Sequence, residues 1–501
     1  MTHPEEPPPP EAKAPSLLEN WISLLGTVVA ASAFFAVLTL IGLDYWTGHT
    51  APYMGILTYL VTPAFLVAGL ALVVLGALLE RRRRHMMAPG EVPRHPRIDL
   101  NVPRHRKALV AVSVVTFVFL VTSALGAYRT YHFTESVSFC GQTCHQVMQP
   151  EYTAYQRSAH ARVACVQCHI GPGAGWFVRS KLSGAYQVYA TLANVYPRPI
   201  PTPIENLRPA QETCEQCHWP RKFYGNAERV RFHFQSDSTN RPWTIRLLMK
   251  IGGGDSEHGL AGGIHWHMNI ANRIEYLHTD TARQTIPWVR LTAADGRVTV
   301  FQSGPDTLTR AQVDSARPRR MDCMDCHTRP SHNYQAPARA VNLAMATGRL
   351  DPALPFIKRN AVALLTAAYE TTPQALAAID SGLAAAYRGR VPEDQIARAV
   401  AEVQRTYQAN FFPEMKVSWR VYPDNLGHTI FPGCYRCHDG QHRSADGRVI
   451  SHSCTACHII IAQGRGPAAQ TISPNGLEFE HPVDIGGMWR SVNCATCHTG
   501  G

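Results

Sequence analysis

The sequence predicts a mainly α membrane protein: three transmembrane helices, then a large water-exposed domain held together by attached groups more than by an apolar core, with a small β insert. Three observations carry this reading. Three long uncharged runs stand near the N-terminus. All fourteen cysteines fall into seven pairs, and the second cysteine of every pair is followed by His. One segment between the pairs alternates in polarity around an Asp-Gly turn. At 501 residues, 45% hydrophobic and 17% charged, the chain is too apolar for disorder, and roughly 100–200 residues per domain allows two to four domains. With no cysteine left over and His fixed after each pair, neither a disulfide scaffold nor a zinc site, which needs two pairs on one metal, accounts for the pattern.

Residues 1–18, with Pro7 to Pro10 beside Glu5, Glu6 and Glu11, are expected to be a disordered cytoplasmic tail. The membrane anchor is expected over 19–128. Its uncharged stretches run from Asn20 to Leu43, Met54 to Leu79 and Ala108 to Tyr128, each long enough at about 1.5 Å per residue to cross a ~30 Å hydrocarbon core. Trp21, Tyr45, Trp46, Tyr53, Tyr128 and Tyr131 mark their ends, where amphipathic rings favour the headgroup level. The loop 80–107 carries Arg81 to Arg84, Arg94, Arg97, Arg104, Arg106 and Lys107, whereas 44–53 carries no Lys or Arg. The basic loop therefore faces the cytoplasm, and three spans send residues 129–501 to the periplasmic side of a bacterial inner membrane. The expected surroundings are lipid bilayer and no nucleic acid. None of the spans contains His, so transmembrane b-type haems are not expected.

In Cys-x-x-Cys-His, both thiols bond to haem and the adjacent His is the proximal iron ligand. Six pairs fit directly: Cys165/Cys168/His169, Cys214/Cys217/His218, Cys323/Cys326/His327, Cys434/Cys437/His438, Cys454/Cys457/His458 and Cys494/Cys497/His498. The first, Cys140/Cys144/His145, has one residue more between its thiols. Seven covalently bound haem c groups are expected. Twelve further histidines lie beyond the last span. His160, His332, His428, His442, His452 and His481 stand near motifs and are candidate distal ligands. His265 and His267, in GIHWHM, are read on one face of a strand as further candidates, and Met148 as a candidate at the first haem.

The motifs organise the exposed part. Residues 129–335 form a four-haem domain with an insert at about 225–320, where Trp288 to Phe301 predicts a hairpin. Residues 336–420 form a helical spacer, with helix starts at Thr372-Pro373 and Val391-Pro392-Glu393. Residues 421–501 carry the last three motifs.

Over roughly 108–335 the chain resembles the NapC/NirT family of membrane-anchored quinol dehydrogenase cytochromes. A last span, a first haem with a nearby Met, YQRSAHARVACVQCH, a Lys, ETCEQCH and CMDCHTRPSH follow in the family's order, and His332 stands five residues past His327. The resemblance implies that the first haem takes electrons from membrane quinol, with Met148 and Lys181 at the site. The family's acidic residue after the Lys corresponds to Gln187, and Met148 stands one place later than usual. His132, Glu135 and Glu151 are then alternative proton acceptors. The expected function is quinol oxidation at the periplasmic face, with electrons passed from haem to haem to a periplasmic redox acceptor or respiratory complex. The alternatives are an electron-relay subunit of a larger respiratory complex and a terminal multihaem reductase of a small nitrogen or sulfur compound.

Overall fold

The computed structural model describes residues 16–47, 58, 62–86, 101–143, 145–204, 207–253, 262–269 and 271–501. Residues 1–15 of the expected tail, the start of the second span with Met54 and Tyr53, Arg94 and Arg97 in the basic loop, and Cys144 lie outside them. The chain divides into two compact units, one reaching to Glu135 and including Pro172–Phe177, the other holding Ser136–Gly171 and Val178–Gly501.

The first unit is built on α1 (Trp21–Thr47), α2 (Thr62–Met86) and α3 (Pro103–Thr134), all three long and apolar enough to cross a membrane. In lipid, close backbone approach replaces the hydrophobic effect as the source of helix association. The α1–α2 contact follows that rule: a Cβ on Gly26 would stand 2.6 Å from the Val73 nitrogen, and one on Gly69 2.5 Å from that of Ala30. Ser23 Oγ donates to the Val73 carbonyl at 3.0 Å. Along α3, Val112, Val114, Val115, Val118 and Phe119 are exposed, as lipid-facing side chains are.

The second unit begins with α4 (His145–Tyr155), and α5 (Ala174–Leu192) runs into it. The insert forms two antiparallel sheets. The first is ordered β1 (Asn226–Phe234), β2 (Pro242–Lys250), β8 (His458–Gly464). The second is ordered β6 (Arg319–Arg320), β3 (Arg273–Leu277), β4 (Trp288–Thr292), β5 (Val298–Ser303), β7 (His442–Ser444). The hairpin read from Trp288 to Phe301 is β4–β5, closed where Ala293 N donates to Arg297 O at 3.0 Å and Gly296 takes φ +80°. Each sheet ends on a strand from the C-terminal segment, so the insert is completed by chain that arrives some 140 residues after β5.

Residues 337–410 fold as α6 (Pro337–Ala346), α7 (Ile357–Thr366), α8 (Thr372–Tyr387) and α9 (Glu393–Asn410). Thr371 caps α8 by accepting from Gln374 N, and Pro392 precedes α9, so both helix starts fall where the sequence puts them. Ile357, Ala361, Leu365, Ala375, Ile379 and Leu383 make a continuous apolar core between them.

Candidate haem sites

Among the described residues, the histidines of six motifs each face a second histidine. The ring centroids of His169 and His332 stand 6.3 Å apart, those of His160 and His218 6.0 Å, and those of His265 and His327 6.4 Å. His267 and His438 are 5.9 Å apart, His428 and His458 6.2 Å, and His481 and His498 6.0 Å. Every pair joins one motif histidine to one non-motif histidine. A metal–nitrogen bond of about 2.0 Å plus roughly 1.1 Å from nitrogen to ring centre places two trans imidazoles about 6 Å apart. The pairs therefore have the separation that one iron between them requires.

The second ring nitrogen supports the same use. Nδ1 of His265 lies 2.8 Å from Ile251 O, that of His267 2.8 Å from Ile264 O, and that of His332 3.0 Å from Glu151 O. His438 Nδ1 meets Ser451 O at 2.8 Å and His481 Nδ1 meets Val483 O at 2.7 Å. A proton held on Nδ1 by a carbonyl leaves Nε2 as the ligating nitrogen and fixes the ring's direction. Burial also favours the neutral, ligating form at two of the paired rings: His428 is pushed down to about 4 by burial and then by His458, and His332 to about 4 by burial and then by the Arg329 cation. Around His267 and His438 a cavity of about 390 Å³ is walled by Ile274, Val289, Leu291 and Phe301 of the second sheet, and Cys437 lies at its edge. Apolar walls, two facing histidines and a thiol suit a porphyrin. Among the described residues no group of three or more His, Cys, Asp or Glu side chains could hold a bare metal ion.

Two expected ligands are placed differently. His442 is 1% exposed and has both nitrogens engaged, Nδ1 with Asp439 at 2.9 Å and Nε2 with Ile286 O at 2.7 Å, so it pins β7 to the sheet and has no nitrogen to offer. His452 is exposed and leans on Tyr435 at 4.8 Å instead of facing a motif histidine. His265 and His267 stand on a single 3₁₀ turn (Ile264–Met268), not on a strand, and they meet different motif histidines.

The thiols of consecutive motifs feel one another electrostatically. The Cys165 thiol is held down first by Cys140, and the Cys323 thiol first by Cys214. Burial and then the nearby Cys165 and Cys217 raise the Cys168 thiol. Cys326, raised to about 12 chiefly by burial, also feels Cys434, as Cys437 feels Cys326. Cys457, raised to about 11 by burial, feels Cys434 and Cys454, and Cys494 feels Cys454. First to second, second to third and so on to the seventh, each motif has a thiol within electrostatic reach of the next.

At the first motif, positions 145 and 148 are three apart on α4 and so share one face of it. Glu151 is nearly buried and bound by Arg329 at 2.8 Å, while Arg329 Nε donates to His332 O at 2.8 Å and its guanidinium lies 3.9 Å over Tyr422. That carboxylate serves the His332 position. Lys181 is half-buried on α5, and Gln187, exposed, donates to Ser183 Oγ at 3.1 Å. Six residues at 3.6 per turn turn Gln187 well away from Lys181. His132 lies in the first unit against Tyr128 at 4.4 Å, and among the described residues its buried Nε2 has no hydrogen-bond partner.

Three apolar helices and a series of paired-histidine sites define a membrane-anchored multihaem c-type cytochrome of electron transfer. The chain belongs to the NapC/NirT cytochrome c family: residues 102–199 match the NapC/NirT cytochrome c family, N-terminal region. Over 495 residues it is 43% identical to the cytochrome c-type protein ImcH of Geobacter sulfurreducens, covering 97% of this chain and 96% of that one. No solved structure matches it.

Proposed function

We propose that this chain is a seven-haem cytochrome that oxidises membrane quinol at the periplasmic face of the inner membrane and passes the electrons, motif by motif, to a periplasmic or complex-bound acceptor. The thiols of all seven pairs hold the haems. Motif histidines 145, 169, 218, 327, 438, 458 and 498 are the proximal ligands, and His332, His160, His265, His267, His428 and His481 are the distal ligands of the second to seventh haems in that order. When bound, each haem accepts and releases one electron at its iron. Six irons each closed by two histidines weigh against a terminal reductase built at any of those six motifs.

The observation that carries the quinol reading is α5. Its Phe177 packs 6.4 Å from Tyr131 at the end of α3, and one turn later the helix carries Lys181. Val178, Leu182, Tyr186 and Tyr189 follow at helical spacing on one face, all more than half exposed. A water-exposed helix does not ordinarily present such a stripe, whereas one lying at a lipid headgroup layer does. Lys181 then stands where a lipid-soluble quinol can reach it, its ammonium directed at an oxygen that gains negative charge as protons leave. Quinol yields two electrons and two protons. A haem held at the first motif would take the electrons one at a time, and the protons would leave to the periplasm.

The full-length protein in liposomes, with a quinol added, tests this. Lys181→Leu is expected to slow quinol-dependent haem reduction on the order of tenfold or more, while the seven haem masses and full reduction by dithionite persist. Reduction at the unaltered rate would sink the quinol site, and fewer than seven haem masses would sink the haem count.

A further inference from the structure

The insert at about 225–320 carries no cysteine pair, yet its turn Ile264–Met268 touches two haem sites. We propose that His265 and His267 are distal ligands of two different haems, those of the fourth and fifth motifs, and that this turn splices the haems of the NapC/NirT-like region to the three C-terminal ones. The inference rests on the seven-haem reading and adds to it the element that joins its two halves.

Four observations carry it. His265 faces His327 of the fourth motif and His267 faces His438 of the fifth, at the separations already given. The two rings cannot serve one iron, because their partners differ. Independently, these two motifs touch each other: Arg436, inside the fifth, donates from Nη2 to the Asp325 carbonyl, inside the fourth, at 2.7 Å. The turn is also held firmly. His265 N donates to Gly252 O at 3.2 Å, Asn269 Nδ2 to Gly253 O at 3.1 Å and Asn272 Nδ2 to Trp266 O at 3.3 Å. Finally, the approach depends on glycine: at Gly253 (φ +138°) a Cβ would lie 2.1 Å from Trp266 N, and at Gly263 (φ +135°) 2.6 Å from Lys250 O. Between the two ligands Trp266 packs into the apolar core of the second sheet, anchoring the turn from its middle. Lys250, at the end of β2, donates from Nζ to Thr455 O at 2.6 Å and from its backbone to Cys457 O at 2.9 Å, so the same strand end is tied to the sixth motif.

The ligand planes distinguish the two sites. His265 and His327 are nearly parallel at 4°, whereas His267 and His438 cross at 82°. Near-parallel imidazoles give a rhombic low-spin resonance and near-perpendicular ones a strongly anisotropic signal, so each ligand has its own spectroscopic label.

The test uses the full-length holoprotein. Peptide masses first establish haem on Cys323/Cys326 and on Cys434/Cys437. A missing haem at either motif overturns the seven-haem reading together with the double role of the turn. With both haems present, His265→Ala and His267→Ala are each expected to let the ferrous protein bind one more equivalent of carbon monoxide than the unaltered protein, and the double variant two. His265→Ala should erase a rhombic resonance, and His267→Ala an anisotropic one. One equivalent in the double variant, or none in either single variant, overturns the double role alone. His265→Met and His267→Met retain a ligand and so guard against unfolding. Each is expected to shift the potential of a different haem and to add the weak long-wavelength band of a thioether–iron bond, and a shift of the same haem in both variants overturns the proposal.

Discussion

The helices of residues 337–410 and the segments that carry the cysteine pairs are held together in different ways. In the first region Ile357, Ala361, Ala375, Ile379 and Leu383 are wholly buried, and Tyr387 Oη donates to Pro355 O at 2.8 Å to close the bundle. Around the motifs, apolar side chains such as Trp219, Phe232, Leu426, Val483 and Met488 are exposed, and Cys217, Cys454 and Cys497 reach the surface. A polypeptide that left so much apolar surface in water would gain little from folding alone. The difference shows which part of the unit the chain stabilises by itself and which part it shapes for another component. Helix propensity and a dense core suffice for the bundle; the motif segments need large planar apolar groups between their histidine pairs.

The largest effect that could break this contrast comes from the attachment chemistry. In full-length protein, Cys434→Ala with Cys437→Ala is expected to remove one haem mass and make the surrounding segments, including β7, markedly more sensitive to protease, while residues 337–410 stay resistant. Equal cleavage of both regions would show that the bundle depends on the haems as well. A smaller and opposite effect is expected inside the bundle. Leu383 is fully buried, so Leu383→Ala should cost about 2–5 kcal/mol of stability through lost burial and the cavity left behind. Its denaturation midpoint should fall without any change in the haem spectrum. A spectral change would mean that the bundle positions the irons, for which the contact through Trp419, whose Nε1 donates to Thr499 O at 3.0 Å just past His498, would be the route.

The sequence made some of this legible and concealed the rest for physical reasons. The spans, the β4–β5 hairpin and the starts of α8 and α9 could be read because their signals are local: uncharged length, Asp-Gly, and Thr or Pro ahead of a helical run. The six non-motif histidines found in ring pairs are all among the candidates, four because they stand near a motif and His265 and His267 because GIHWHM sets them two residues apart. Which histidine meets which motif was not readable, since His265 and His327 are 62 residues apart and nothing local marks the pair. The strand reading of GIHWHM failed for a related reason. Alternation suggests a strand, but Gly253 and Gly263 at positive φ fold the segment back against the end of β2 as a 3₁₀ turn. Nothing local marks strands β7 and β8: each forms by pairing with a strand far upstream, and β7 is only three residues long. The apolar stripe of α5 was present in the spacing of Val178, Leu182, Tyr186 and Tyr189, and a helical projection of 174–192 would have found it.

The smallest effect separates a ligating histidine from one that belongs to the sheet, and His442 is the position that decides it. Its ring lies at the start of β7, fully buried, between the Asp439 carboxylate and the Ile286 carbonyl. Burial works against the charged form, but those two acceptors outweigh it and hold the ring above its ordinary value. A histidine whose folded value is raised adds stability that is fully present below about pH 6.5, the unfolded value, and fades as pH rises through the folded one. His442→Asn should therefore cost about 1–3 kcal/mol at mildly acidic pH, by leaving buried acceptors unpaired, and flatten the decline in stability across neutral pH. The iron spectra should not change, because neither nitrogen of His442 is available to a metal. Thermal denaturation followed at several pH values, with the visible spectrum of each sample, checks both halves. A new high-spin iron in His442→Asn would make this histidine a ligand and return the ring pair at the fifth motif, His267 with His438, to question.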